Sequence, residues 1–444
     1  QVEVFAAYAA YTDHEIGRVV QAIEDIGETN NTLIIYINGD NGTSAEGGPT
    51  GTPNEVAWFN GVSLSAEEQL KWYEVWGTEE TYNHMSAGWS WAFDTPFDFF
   101  KQNASRLGGI RQNMVVSWPD GISDKGGRRD QFLHVIDLAP TILEVAGIEE
   151  PEEVDGITQS PMEGTSFAYT FDAKNANAPS RHRTQYFEMF GQWALYHEGW
   201  LLGTKVVNMP WDSSDKVVPD PLNDQVLQLY DLTTDMNQTK DVATKYPEKV
   251  KELKAIFIEE ARKHQVFPMD TSGVSRIVKP RPSITAGRNE FVYTRAMTGL
   301  PQGDAPSLLN TSYTITAEIE VPENGAEGMI VTSGGRFAGF GFYLVGGKPA
   351  FTWNMLDLER IKWESPEVLS PGKHIIEFDF KYEGLGAATL AFGSASGLGK
   401  GGTGVLKVDG KAVATKDMKN TLPTTLQWDE AFDVGMDTLT GVND

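Results

Sequence analysis

With 444 residues, 40% of them apolar and 11% aromatic, the chain has material for two or three domains and is not mainly disordered. A formal net charge of −26 excludes nucleic acid, whose phosphates require a basic face, and a polybasic membrane contact. The absence of cysteine removes disulfides, thiolate catalysis and thiolate metal sites together, and no apolar run reaches the roughly 18 residues of a membrane span.

The opening residues lack an initiator Met and a basic signal-peptide head, so the chain is expected to begin inside a fold. Phe5, Ala9, Thr12, Ile16, Val19, Ile23 and Ile26 then mark one face of an amphipathic helix that ends at Gly27. The β-branched run from Thr32 to Ile37 reads as a buried strand. Helix followed by strand is the rhythm of an α/β sheet, in which ligands bind beyond strand carboxyl ends. Asn38 to Ser44 occupies that place. The Gly-, Pro- and Asn-rich stretch 47–61 reads as a surface loop, and aromatics crowd the segment from Trp72 to Phe100. Met114 to Trp118 is a second strand. Asp137 to Gly147 is a helix with Asp137 as N-cap, and Pro247 to His264 is another. Between them, strands are expected around 181–203 and 225–232. Residues 270–288 have linker composition, and beyond Phe291 short alternating runs between Gly/Pro turns predict an antiparallel β module. Gly393 to Gly404 reads as a loop.

Asp40 and Asn41 stand between Gly39 and Gly42. They offer two hard oxygen donors, one anionic, suited to Ca²⁺ or Mg²⁺, while the glycines permit a sharp turn. Asp-Asn and Asn-Gly are also common turn residues, so an ordinary turn is the competing reading. Lys101 could neutralise an anion in a cleft or be a solvated surface lysine. In the β module, Phe337, Phe340, Phe342, Tyr343, Phe351, Trp353 and Trp363 are more readily core than a sugar-binding face.

Asn31-Thr-Leu-Ile-Ile-Tyr-Ile-Asn-Gly-Asp-Asn-Gly42, preceded by Asp13-His-Glu-Ile-Gly-Arg18, resembles the sulfatase family. Further matches follow in family order: Gly88-Trp-Ser-Trp-Ala-Phe-Asp-Thr-Pro-Phe97, Lys101-Gln, Gly108-Gly-Ile-Arg111, Val116-Ser-Trp-Pro119, Asp137-Leu-Ala-Pro-Thr-Ile-Leu143 and Leu229-Tyr-Asp-Leu232. The resemblance implies that Asp40 and Asn41 help to bind one Ca²⁺ and that Lys101 contacts sulfate as a catalytic and substrate-binding residue. His84 and Arg111 are taken as structural. Arg106 stands where many relatives have His, which would alter the pocket rim. Family sulfatases use a formylglycine made within a Cys/Ser-x-Pro-x-Arg motif, and this chain contains none, so that group is expected in a missing N-terminal segment.

The expected fold class is α/β: the C-terminal part of an alkaline-phosphatase-like mixed-sheet domain, a small α/β subdomain and a β-rich C-terminal module. The boundaries fall at 1–180, 181–270, a linker at 271–290, and 291–444. The expected function is an arylsulfatase-like sulfuric ester hydrolase acting on a small-molecule or glycan sulfate ester, with this chain inactive alone. The alternatives are a phosphonate or phosphate monoester hydrolase of the same superfamily and a non-catalytic glycan-binding protein. Localisation stays open, with a periplasmic or secreted setting favoured over the cytoplasm.

Overall fold

The computed structural model describes residues 1–39, 41–212, 217–272, 282–386 and 398–443. The chain forms two compact units. One comprises residues 2–45 and 87–273, and the other comprises Gln1, residues 46–86 and residues 274–444.

In the first unit, helix α1 (Val2–Asp25) matches the periodic segment, but none of its residues is fully buried. Phe5 meets Phe93 at 4.5 Å between ring centroids, while Tyr8 and Val19 stay exposed. Strand β1 (Ile34–Asn38) pairs antiparallel with β2 (Asn113–Ser117), placing Asn38 opposite Asn113. The expected buried strand is therefore half-buried. Among the described residues its one ladder partner is β2, and a two-stranded ribbon has open edges on both sides.

Four antiparallel strands follow in simple up-down order: Thr184–Met189, Gln192–His197, Trp200–Thr204 and Leu227–Asp231. The helix Pro247–Lys263 begins with Pro at its first turn, where a missing N–H costs nothing. It buries Leu253, Phe257 and Ala261 against Trp193, Leu195, Leu202 and Leu229 of the sheet. Phe257 stacks on Trp193 at 4.1 Å, and the Trp193 indole N–H donates to Pro221 O.

Asp137 departs from its expected role. It directly precedes the helix Leu138–Ala146, but its side chain caps no N–H of that helix. Its carboxylate instead accepts from the N–H groups of His134 and Thr165 and from His182 Nδ1, at 2.7–2.9 Å. Burial alone would raise the Asp137 pKa, yet the His182 and backbone donors outweigh it and hold the carboxyl below its ordinary value. Burial likewise pulls His182 down, and the bond to Asp137 overrides it, so the imidazole sits above its ordinary value. Gly147 closes the helix at φ 66° as anticipated.

In the second unit, all ladders are antiparallel. A four-stranded sheet joins Tyr313–Val321, Gly372–Tyr382, Gly402–Val408 and Lys411–Met418. A six-stranded sheet runs Glu359–Glu364, Lys348–Met355, Ala338–Val345, Gly328–Gly335, Phe432–Val434 and Met297–Leu300. The sheets share one apolar core, with Phe351 of one stacked on Phe378 of the other at 3.6 Å. The seven aromatics weighed as a sugar-binding face are all buried in this unit.

Two loop readings need correction. Gly402 to Gly404 belong to a strand, where Gly404 leaves room for the Trp363 ring and its carbonyl accepts the indole N–H at 2.9 Å. Residues 393–397 lie outside the described residues. The stretch 47–61 is not a surface loop either: Gly51 to Asn54, Val56 and Ala57 are buried. Asn54 Nδ2 donates to Phe337 O and Leu356 O, and Asn60 Nδ2 donates to Thr425 O, so the polar residues that suggested a loop are structural ties of the β unit. The linker reading of 271–290 falls partly on residues 273–281, outside the described residues.

Candidate functional site

The turn after β1 depends on its glycines. Gly39 and Gly42 adopt φ 91° and 83°, which side-chain-bearing residues rarely reach. Space is equally limiting. A Cβ on Gly42 would lie 1.9 Å from Gly108 O, and one on Gly39 would lie 2.7 Å from Gln112 Oε1. The turn therefore lies directly against the segment 108–112, which carries the Gly-Gly-Ile-Arg sequence. Asn41 is half-buried within it, and Asp40 lies outside the described residues.

Lys101 reaches the same turn. Its backbone N–H donates to Thr43 O at 3.2 Å, and its side chain belongs to a half-buried residue. Two non-glycine residues at positive φ flank it, Phe99 at 66° and Gln102 at 80°. For a bulky residue such as Phe99 this conformation is costly and persists where packing enforces it. The packing is visible: the Phe99 ring meets Trp91 at 5.4 Å and carries the Arg106 guanidinium at 5.1 Å. Thr43 Oγ1 donates to Asp94 Oδ1 at 3.5 Å, and Ser90 Oγ donates to Ser44 O, so the helix Ala87–Asp94 is tied to the turn from its other side.

Two carboxylates give this region its electrostatics. Burial raises Asp94 to about 6, opposed by the Thr43 hydroxyl and reinforced by the charge of Asp98. Burial also raises Asp98, with Arg106 pulling the other way. Asp94 Oδ2 and Asp98 Oδ1 are buried oxygens without a hydrogen-bond donor among the described residues. The Arg106 Nη1 to Asp98 Oδ2 separation of 3.6 Å is long for a strong pair.

Arg106 is not a rim residue. It is buried, sandwiched over Phe99 and Tyr230 at 5.1 Å from each ring, and donates to Gln238 O and Gln228 Oε1. Arg111, taken as structural from the sequence, lies over the Phe97 ring at 4.7 Å and has no carboxylate partner among the described residues. Asp94 lies inside a motif noted from sequence, but nothing in its spacing signals that it is half-buried. Thr43 was likewise missed. Of the predicted site residues, Asn41 and Lys101 are thus joined by one turn through Thr43.

The sulfatase family model matches residues 1–148. That stretch contains the turn, Lys101, Asp94 and β2. Over residues 1–148 the chain is thus similar to the sulfatase family. Among curated sulfatases, an arylsulfatase of Klebsiella aerogenes is 25% identical over 190 residues, covering 43% of this chain and 37% of that protein. Arylsulfatase K of Xenopus laevis is 31% identical over 129 residues, 29% of this chain and 22% of that protein. The chain thus spans well under half the length of either relative. Among solved structures, a protein in complex with D-glucosamine-2-N,6-O-disulfate aligns at 16% identity over 58% of this chain and 40% of that one, with a TM-score of 0.33.

Proposed function

We propose that the sulfatase-family stretch supplies part of the active site of a sulfuric ester hydrolase acting on an aryl or similar sulfate ester, on a small molecule or a glycan. The observation that carries this reading is the backbone hydrogen bond that attaches Lys101 to Thr43, two residues after Asn41. Within a sulfatase, that bond ties the backbone of Lys101 to the segment that carries Asn41. Ca²⁺ fits the donor type, since the Asp40 and Asn41 side chains offer hard oxygen ligands, one of them anionic. These two residues would hold the ion, and Ca²⁺ would supply Lewis-acid polarisation of sulfate oxygens.

Lys101 would neutralise charge on sulfate or on the departing oxygen, a role a compact ammonium fills well. The enforced positive φ on both sides of it fixes where its side chain starts, which lowers the entropy lost on binding an anion. The chain contains no Cys and no Cys/Ser-x-Pro-x-Arg sequence, so by itself it is expected to release no sulfate. In the natural protein that contains this chain, Lys101→Ala is expected to lower kcat/KM for an aryl sulfate by about 10²–10³-fold, the scale of losing one oxyanion-stabilising group. Unchanged turnover would remove Lys101 from the site. A preference for the matching aryl phosphate would point to a phosphate monoester hydrolase.

A further inference from the structure

A second group of metal-type side chains lies in the β unit. Glu46, Glu55 and His84 each present one ligand atom, and the three atoms lie within 4.8 Å of one another. Glu46 is 7% exposed, and the other two are half-buried.

Their backbone is fixed at several points. Thr52 and His84 exchange both backbone hydrogen bonds, at 3.0 and 2.9 Å, and Glu55 N–H donates to Tyr82 O at 2.7 Å. Asn54 caps the short helix Glu55–Phe59 through Val56 N–H, placing Glu55 at its first position. The Gln1 side chain donates to Thr50 O and accepts from Ser86 N–H, both at 2.9 Å, holding the two segments at their far ends.

The imidazole is set for coordination. His84 Nδ1 lies 2.9 Å from Met85 O. A carbonyl can only accept, so Nδ1 carries a hydrogen, and Nε2 is the ring nitrogen available to ligate a metal once it is deprotonated. Ligating histidines characteristically donate their other N–H to a carbonyl or carboxylate, which fixes tautomer and ring orientation. Gly47 serves that contact: a Cβ there would lie 2.5 Å from Met85 O and 2.8 Å from His84 Nδ1. Two carboxylates gathered so closely repel one another, and a metal cation or the proton of an imidazolium offsets that repulsion.

We infer that Glu46, Glu55 and His84 form a binding site for a divalent transition-metal ion of the Zn²⁺ or Mn²⁺ class. One imidazole with two carboxylates suits these ions better than Ca²⁺, which takes oxygen ligands. The site shares no residue with the Asp40–Asn41 pair and does not depend on the proposed activity. Three protein ligands leave a coordination position for water or an external ligand.

Calorimetric titration of the metal-stripped chain with Zn²⁺ tests it. Binding is expected to weaken by at least about tenfold in His84→Gln and in Glu46→Gln, and to persist in Asn41→Ala. Far-UV circular dichroism of each variant without metal separates loss of ligands from loss of fold. In addition, Mn²⁺ bound to the wild-type chain should show ¹⁴N coupling from an imidazole, and His84→Gln should abolish it. Zn²⁺ binding unaffected by both substitutions, or absent from the folded wild-type chain, would overturn the site and leave an imidazolium–carboxylate cluster.

Discussion

Burial raises Asp94 to about 6, so the folded chain holds a proton there that the unfolded chain has released. With the folded value above the unfolded one, stability falls as pH rises from about 4 to 6, and the full cost remains at neutrality. Asp94→Asn is therefore expected to raise the melting temperature at pH 7 by on the order of 2 °C, and to give no gain at pH 4. A variant that melts lower at pH 7 would mean that the carboxylate is paired in the folded chain. Gly42→Ala works in the opposite direction. A Cβ placed 1.9 Å from Gly108 O at φ 83° forces the turn to move, and the expected loss is about 1–3 kcal/mol in urea unfolding. At this scale the sequence exposed what is local: two glycines around an Asp-Asn pair, and a lysine in a family motif. It hid what depends on distant chain. Glu46, Glu55 and His84 follow no regular spacing, and only Glu55 sits in the stretch whose composition reads as loop, while the partial burial of Asp94 leaves no trace in its neighbours.

The Asp137–His182 contact links the turn before the helix Leu138–Ala146 to the approach of the four-stranded sheet. Asp137 is held low, so its contribution is present above the ordinary carboxylate range and lost as pH falls through its folded value. His182 is held high, so its contribution is present below the ordinary imidazole value of about 6.5 and lost as pH rises through its folded value. His182→Gln should therefore destabilise most near pH 5–6, by about 1.5–3 kcal/mol for a charged hydrogen bond, and less at pH 9. A pH-independent loss would contradict the ion-pair account. Trp363→Ala should cost about 3–5 kcal/mol, because the ring is fully buried and Gly404 O loses its donor. Elements with strong periodicity were legible almost to the residue, as with Pro247–Lys263. What periodicity does not report is what covers a face: α1 has the expected stripe, yet the described residues bury none of it fully.

A net charge of −26 on 444 residues makes the whole chain self-repelling. Added NaCl up to about 0.15 M, where the Debye length falls to about 8 Å, is expected to raise the melting temperature. A decrease would show that attractive ion pairs outweigh the repulsion. The mixed α/β character and the β-rich end were readable from alternation and turns, whereas the path of the chain between units was not. Residues 46–86 belong to the β unit although the sequence on both sides belongs to the other. Val56 and Ala57 enter its core, and Asn54 satisfies two of its carbonyls. A gene segment encoding 291–444 alone would thus leave behind part of its own interior. The β unit cannot be shuffled as a cassette, and recombination that moves it must carry the inserted stretch as well, so the two units are inherited together.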